Sequence, residues 1–175
     1  MKHRSRILGN ATLEFTLVGI PLMFTLISIA EMARGMWTYH SLAHAVKEGT
    51  RYAVVHGQNS PNHATYASVC NVILQAGAGA MLGQSLNLTF TSVSGSNTYT
   101  AQACAGQTGD WPPNGAGVLD DQPGHTISIS ATYPFQSAIA MFWPGTTKGI
   151  NFSNLTCSGA GTMCLPAAAS DVMQF

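Results

Sequence analysis

Charge is scarce in this sequence of 175 residues, because Lys, Arg, Asp and Glu make up only 8% of it. Seven basic residues balance seven acidic ones, and the formal net charge is zero. Proteins that bind nucleic acids need clustered positive charge to contact the phosphates. The composition excludes such a surface, and we expect no nucleic-acid partner.

Motifs of familiar catalytic chemistry are also missing. The chain has no Gly-x-Ser-x-Gly nucleophile elbow, no phosphate-binding glycine loop and no Cys-x-x-Cys pair. His40, His44 and Glu48 share one helix face, a possible zinc site, but they lack the His-Glu-x-x-His arrangement that supplies a general base. Acidic residues of a later Gly- and Pro-rich segment lack the spacing of an EF-hand calcium loop: Asp110, Asp120 and Asp121. We expect no enzyme, no cofactor and no metal.

A long apolar run is present near the N-terminus, from Ile7 to Ala30. Its charge-free part, residues 15–30, is about 24 Å long as a helix. A bilayer core is about 30 Å thick, so flanking residues must join the span. Basic residues precede the run, which predicts a cytoplasmic N-terminus: Lys2, Arg4 and Arg6. We expect residues 10–34 to cross a membrane once and residues 35–175 to form one domain on the far side.

Glu14 is the only charged residue inside this run. A carboxylate at full membrane depth costs on the order of 2.5 to 3.5 kcal/mol, and such residues usually mark a function. Two alternatives remain open. One is a secretory signal cleaved after Ser28-Ile29-Ala30, and the other is an ordinary anchor in which Glu14 has no role.

All four cysteines follow the apolar run, where export places them in an oxidising compartment: Cys70, Cys104, Cys157 and Cys164. An even number allows two disulfides. Pairing Cys70 with Cys104 and Cys157 with Cys164 closes the shortest loops. Spacing alone does not choose among the possible pairings.

Helical periodicity continues from Glu31 to Val55, with one predicted face made of Met36, Tyr39, Ala43, Val46, Thr50 and Ala53. Gly57 and Pro61 end this helix, and Ser60-Pro61 predicts the start of a second one. The apolar face of the second helix is predicted to be Tyr66, Val69, Cys70, Ile73 and Leu74.

A two-residue period then predicts strands over residues 86–90 and 126–133, with a third near 149–156. The segment between Gly95 and Gly124 is predicted to be a surface loop. A small antiparallel sheet of about three strands needs a partner for its apolar face, and the long helix can provide it. The predicted class is α+β: a long N-terminal helix, a second helix and the sheet.

The N-terminal sequence from Gly9 to Phe15, followed by an apolar helix with Pro21, resembles the prepilin-peptidase site of the type IV pilin superfamily. The chain is most similar to the TadE-like family, minor pseudopilins of tight-adherence (Flp-type) pilus systems. The residues that carry this resemblance are Ala11 to Phe15, Pro21, Glu31, Trp37, the stretch Glu48-Gly49-Thr50-Arg51-Tyr52-Ala53, and Tyr133-Pro134-Phe135. The resemblance implies a pilin-like fold.

The resemblance also implies a cytoplasmic leader, residues 1–9, that is cleaved after Gly9 so that Asn10 becomes the N-terminus. Glu14 and Phe15 would then serve assembly, with the Glu14 carboxylate pairing with the new amine of a neighbouring subunit. A buried charge without its partner costs roughly 3 to 5 kcal/mol, so this pairing would fix the axial register between subunits.

The function implied is that of a minor pseudopilin, needed for pilus assembly, surface adhesion and biofilm formation. Its expected partners are other pilin or pseudopilin subunits, the inner-membrane assembly platform, the prepilin peptidase and the lipid bilayer. Its expected location is the inner membrane, with the C-terminal domain in the periplasm or on a cell-surface pilus. The alternative is a membrane-anchored periplasmic scaffold or binding domain that does not enter a pilus.

The family-motif residues Glu48, Gly49, Arg51 and Tyr52 lie beyond the predicted membrane span. Glu48 and Arg51 are three residues apart, and such a pair on an exposed helix contributes only about 0.2 to 0.5 kcal/mol. We interpret the pair as solvated or sheet-facing. The functional alternative is a docking contact with another pilus component.

Overall fold

The structure is a computed structural model that describes residues 7–57, 60–78, 86–92, 98–101, 123–136 and 162–174. The elements in this part of the chain are α1 (Ile7–Val55), α2 (Tyr66–Gly77), β1 (Asn87–Ser92), β2 (Thr98–Ala101), β3 (Thr126–Gln136) and β4 (Thr162–Val172). The predicted α+β class, with a long N-terminal helix, a second helix and an antiparallel sheet, is confirmed.

Helix α1 is continuous through Pro21. Proline lacks the backbone N–H that would donate to the carbonyl four residues earlier, which here is that of Leu17. The Thr25 hydroxyl donates a hydrogen bond to the Pro21 carbonyl, one turn earlier. The helix ends at Val55, as predicted from Gly57, and the His56 amide still donates to the Tyr52 carbonyl at 3.2 Å.

Helix α2 begins at Tyr66, so the prediction of a start at Ser60-Pro61 is wrong. Thr65 is the N-cap. Its side chain accepts from the Ser68 amide at 3.2 Å, while the Ser68 hydroxyl accepts from the Thr65 amide at 2.9 Å. This reciprocal capping box satisfies the backbone amides of Thr65 and Ser68. It therefore favours a helix that begins at Tyr66 over one that begins at Pro61. The predicted apolar face is confirmed, because Tyr66, Val69, Cys70 and Ile73 are buried and Leu74 packs against them.

The four strands in the described part of the chain form one antiparallel sheet with the order β2-β1-β3-β4. Strands β1 and β3 match the two predicted over residues 86–90 and 126–133. The strand predicted near residues 149–156 lies outside the described residues. Strand β4 was missed because Pro166 and the run of alanines after it give a weak strand signal. Strand β2 lies within the segment predicted as a loop, so that prediction is wrong for Thr98–Ala101.

The core lies between the sheet and the two helices. Its strand residues alternate along β1 and β3, as a half-buried sheet requires: Leu88, Phe90, Ile127, Ile129, Ala131 and Tyr133. The buried residues of helix α1, which lie under the sheet and α2, are Thr38, Leu42, Ala45, Val46, Gly49, Thr50, Ala53 and Val54. The buried hydroxyls of Thr38 and Thr50 donate to the carbonyls of Arg34 and Val46, at 3.0 and 2.8 Å, so neither costs an unpaired polar group.

On the predicted face of α1, Val46, Thr50 and Ala53 are buried and Ala43 is partly buried, whereas Met36 and Tyr39 are exposed. Hydrophobicity alone favoured Met36 and Tyr39. The rest of the domain instead buries the side of the helix that carries Thr38 and Leu42. Tertiary packing therefore set the rotation of this part of the helix.

The two long strands run alongside α1. Phe135 of β3 lies beside Gly35, whereas the Gln174 amide, just after β4, donates to the Val54 carbonyl at 3.4 Å. From Gly35 to Val54 the helix rises about 29 Å, and β3 from Thr126 to Phe135 extends about 30 Å. The equal lengths explain why the sheet covers α1 only from about Gly35 onward. We call residues 11–30 the bare segment and residues 38–54 the covered segment.

Candidate functional site

The bare segment of α1 exposes apolar side chains in every direction. All its residues are exposed except Gly19, which is partly covered. The exposed large side chains are Leu13, Phe15, Leu17, Val18, Ile20, Leu22, Met23, Phe24, Leu26, Ile27 and Ile29. A helix that is hydrophobic all round belongs in a core or in a bilayer, and no part of the described chain covers this one. Among the described residues, α1 is the one helix long and apolar enough to cross a membrane. It has the composition and exposure of a single membrane anchor.

Hydroxyl groups within the bare segment are paired inside the helix. Thr16 donates to the carbonyls of Thr12 and Leu13 at 3.1 and 3.0 Å, and Ser28 donates to the Phe24 carbonyl at 2.8 Å. Thr25 is paired with Pro21 as described above. An unpaired hydroxyl in hydrocarbon costs several kcal/mol, so these bonds allow the segment to be buried in lipid.

Glu14 is the one charged residue of the bare segment. The hydrogen bonds within the helix described above involve hydroxyl groups and not its carboxylate. Its side chain is exposed on the bare segment, and neither ion pair among the described residues involves it. Phe15 next to it is 76% exposed. Removing water from a carboxylate is costly unless it is protonated or meets a counter-charge, and neither of the ion pairs above supplies one to Glu14.

Gly9 and Asn10 lie in the first turns of α1. Asn10 precedes Glu14 by four residues, so the two positions lie about 6 Å apart along the axis and on the same side of the helix. A cut before Asn10 would therefore place the new amine on the same side of the helix as the Glu14 carboxylate. The cleavage between Gly9 and Asn10 itself remains a prediction.

The second motif, around Glu48 and Arg51, lies in the covered segment. The two side chains approach to 3.9 Å and are 48% and 65% exposed, which is a weak, solvated pair. Gly49 faces α2, where an added Cβ would lie 2.3 Å from Cγ1 of Ile73. Tyr52 stacks on His56 with ring centroids 4.2 Å apart. Gly49 is thus required by the close approach of two helices, while Glu48 and Arg51 stay on the surface.

A junction between the bare segment and the sheet was not predicted. The Arg34 guanidinium bonds to the Glu31 carboxylate at 3.0 Å and lies 4.8 Å from the centre of the Phe135 ring. The three-residue spacing of Glu31 and Arg34 could have indicated the ion pair. Nothing local indicates the contact with Phe135, because that contact depends on how the sheet packs on α1.

Both cysteines in the described part of the chain are disulfide-bonded: Cys70, buried on α2, and Cys164, half-buried on β4. Cys104 and Cys157 lie outside the described residues. The pairing of Cys70 with Cys104 and Cys157 with Cys164 therefore stays a prediction.

The alternative metal sites receive no support from the described residues. His40, His44 and Glu48 are all exposed. Within the described ranges no three His, Cys, Asp or Glu side chains come together as metal ligands would. Asp110, Asp120 and Asp121 lie outside those ranges.

Comparison with known protein families gives a match to the first helix. Residues 9–51 match the sequence model of the family described as TadE-like protein, which confirms the resemblance over this segment. The match covers less than half of the chain. It includes Glu14, the whole bare segment and the Glu48–Arg51 pair, and it ends before α2 and the sheet. No curated protein and no solved structure matches the chain.

Proposed function

Since its first helix is TadE-like, we propose that this chain is a minor pseudopilin of a tight-adherence (Flp/Tad) type IV pilus machine. In this role it is needed for pilus assembly, surface adhesion and biofilm formation. The observation that carries the proposal is Glu14, an exposed carboxylate on an otherwise apolar rod without an ion pair in the described part of the chain. The family match over residues 9–51 supports the same role.

The proposed mechanism begins with removal of residues 1–9 by a prepilin peptidase. The chain is then held by α1 in the inner membrane, with its sheet domain in the periplasm. Cleavage leaves a charged amine on Asn10, about 6 Å along the axis from Glu14. When the bare segments of neighbouring subunits pack together, the carboxylate of one chain meets the amine of the next. A shifted register leaves both charges buried and unpaired, at a cost of roughly 3 to 5 kcal/mol.

In this proposal the bare segment lies in two environments, one before assembly and one after it. Lipid surrounds it before assembly, and the apolar helices of neighbouring subunits surround it afterwards. Because both environments are apolar, the hydrophobic effect does not strongly favour either one. The charge pair at Glu14 then supplies the preference for the assembled state and its register. Partners of this chemistry are pilin or pseudopilin subunits, recruited at the inner-membrane assembly platform.

The test is the replacement Glu14→Gln in the native cells. We expect pili and surface attachment to be lost, while the amount of protein in the membrane fraction and its disulfides stay as in the wild type. The control is Glu31→Gln, the next acidic residue along α1, just past the bare segment, which should leave pili in place because its carboxylate is already paired with Arg34 of the same chain. Normal piliation of the Glu14→Gln strain would contradict the proposal.

Two measurements separate this function from the alternative of a membrane scaffold that never enters a pilus. The first is the N-terminal residue of the mature chain, which we expect to be Asn10. The second is the presence of the chain in pili sheared from the cells. A chain that starts at Met1 and stays wholly in the membrane would favour the scaffold, and one that starts at Glu31 would show an ordinary secretory signal.

The proposed disulfides, Cys70–Cys104 and Cys157–Cys164, fit a domain exposed to the oxidising periplasm. Peptide mapping of the unreduced protein tests them. Recovery of Cys70 linked to Cys157 would refute the pairing.

A further inference from the structure

An exposed apolar band follows the bare segment on α1. Met36 is 61% exposed, Trp37 67% and Tyr39 44%. Thr38, between them in sequence, is buried against the sheet domain. The band therefore lies on the sides of the helix that the domain leaves open. Side chains of this size at such exposure, grouped within one turn, indicate a contact that the described chain does not provide.

The helix rise places this band relative to a bilayer. A core of about 30 Å is spanned by about 20 helical residues, which the stretch from Leu13 to Met32 supplies. Glu14 and Glu31 then lie at its two edges. Met36 and Trp37 lie about 6 to 8 Å beyond Met32 and Tyr39 about 10 Å beyond it, and helical side chains lean back toward the N-terminus, here toward the span. The headgroup layer on each side of the core is about 5 to 8 Å thick, so Trp37 reaches its level.

We propose that Met36, Trp37 and Tyr39 form a docking surface for the phospholipid headgroup layer on the outer side of the membrane that α1 spans. The proposal rests on the membrane anchoring in the proposed function. Trp and Tyr combine an apolar ring with a polar N–H or O–H group, and this is the chemistry that suits a headgroup layer. The exposed Arg34 guanidinium, one turn earlier, is placed to meet lipid phosphate.

Continuity favours lipid over a protein as the occupant. The band extends the exposed apolar surface of the bare segment with only the Glu31–Arg34 pair between them. The contact of Phe135 with Arg34 and Gly35 brings the end of the sheet to the same level. The sheet domain therefore stands directly on the membrane surface, with β3 and β4 running away from it beside α1.

The experiment uses the full-length chain in phosphatidylcholine–phosphatidylglycerol vesicles. Trp111→Phe and Trp143→Phe leave Trp37 as the only tryptophan, and lipids brominated near the headgroup or deep in the acyl chain quench its fluorescence. We expect at least twofold stronger quenching by the shallow label. Two reference variants place the only tryptophan elsewhere on α1: Phe24→Trp, at mid-span, and Val55→Trp, about 27 Å beyond Trp37. The first should be quenched best by the deep label and the second by neither.

Each outcome has one meaning. Quenching at Phe24→Trp without quenching at Trp37 overturns the docking surface and leaves the anchoring intact. No quenching at Phe24→Trp overturns both. Emission from Trp37 that shifts only at high protein-to-lipid ratio, without lipid quenching, assigns the band to a second copy of the chain and overturns the proposal.

A second measurement avoids changes at Trp111 and Trp143, should that pair of substitutions prevent folding. The wild-type chain is compared with Trp37→Phe in the same vesicles. The proposal requires that Trp37→Phe removes most of the emission quenched by the shallow label. It fails if the quenched fraction is unchanged.

Discussion

The two halves of helix α1 share one backbone conformation but have opposite surfaces. In the bare segment nearly every side chain is exposed, whereas in the covered segment residues three and four apart are buried under α2 and the sheet. The covered segment has polar residues for its outer side, including His44, Lys47 and Glu48, and the bare segment has none apart from Glu14 and a few hydroxyls. The covered segment packs against its own domain on one side and has polar residues on the other. An all-round apolar helix must take its partners from lipid or from other chains.

The largest effect should come from truncating the same residue type in each segment. Leu42 is fully buried, and Leu42→Ala should lower the free energy of unfolding of the domain by about 2 to 5 kcal/mol, through lost contacts and a cavity. Leu17→Ala, on the bare segment, should change it by less than about 0.5 kcal/mol. Thermal unfolding of the full chain in detergent micelles, followed by near-UV circular dichroism, measures both. Equal changes in the free energy of unfolding for the two substitutions would contradict the difference between the bare and covered segments.

Two glycines of α1 test how closely the covered segment is packed, with smaller expected changes in stability. Gly49→Ala pushes a Cβ against Ile73, and such overpacking costs about 1 to 3 kcal/mol, more than the gain in helix propensity of at most about 1 kcal/mol. In an Ile73→Ala background the clash is gone, so the same substitution should become stabilising. Gly35→Ala is the control, because its Cβ would lie 3.6 Å from the Phe135 ring, an ordinary contact. A stabilising Gly49→Ala in the wild-type background would show that the helices do not approach so closely.

The junction between the segments should have an intermediate effect. Arg34→Gln removes the contact with Phe135 and the bond to Glu31, and we expect a loss of about 0.5 to 1 kcal/mol from an exposed cation–π pair. A double-mutant cycle with Phe135→Leu isolates the ring contact. A coupling energy indistinguishable from zero would mean that the sheet is not held to α1 at this point.

The smallest effect is expected at the motif pair Glu48 and Arg51. Arg51→Gln should cost less than about 0.5 kcal/mol, because the ion pair is long and open to solvent. If pili are lost in cells although stability is unchanged, the pair serves docking to another pilus component. If piliation also persists, the pair is a solvated surface feature.

Much of the fold could be read from the sequence, since periodic patterns are local. The end of α1, the apolar face of α2 and strands β1 and β3 all follow from the spacing of apolar residues and from Gly57. The start of α2 was missed because Thr65 and Ser68 form a reciprocal cap that competes with the Ser-Pro signal. Strands β2 and β4 have weak patterns of their own, and pairing with β1 and β3 specifies them.

The sequence by itself determined the N-terminal rod and its single carboxylate, because an apolar run with no polar face and one acidic residue needs no tertiary context to be recognised. Only the tertiary structure decided which side of α1 the domain covers. It also decided the close packing of Ile73 against Gly49 and the contact of Phe135 with Arg34. These contacts join residues far apart along the chain. Their geometry is set by the packing of the sheet on the helix, which no local pattern encodes.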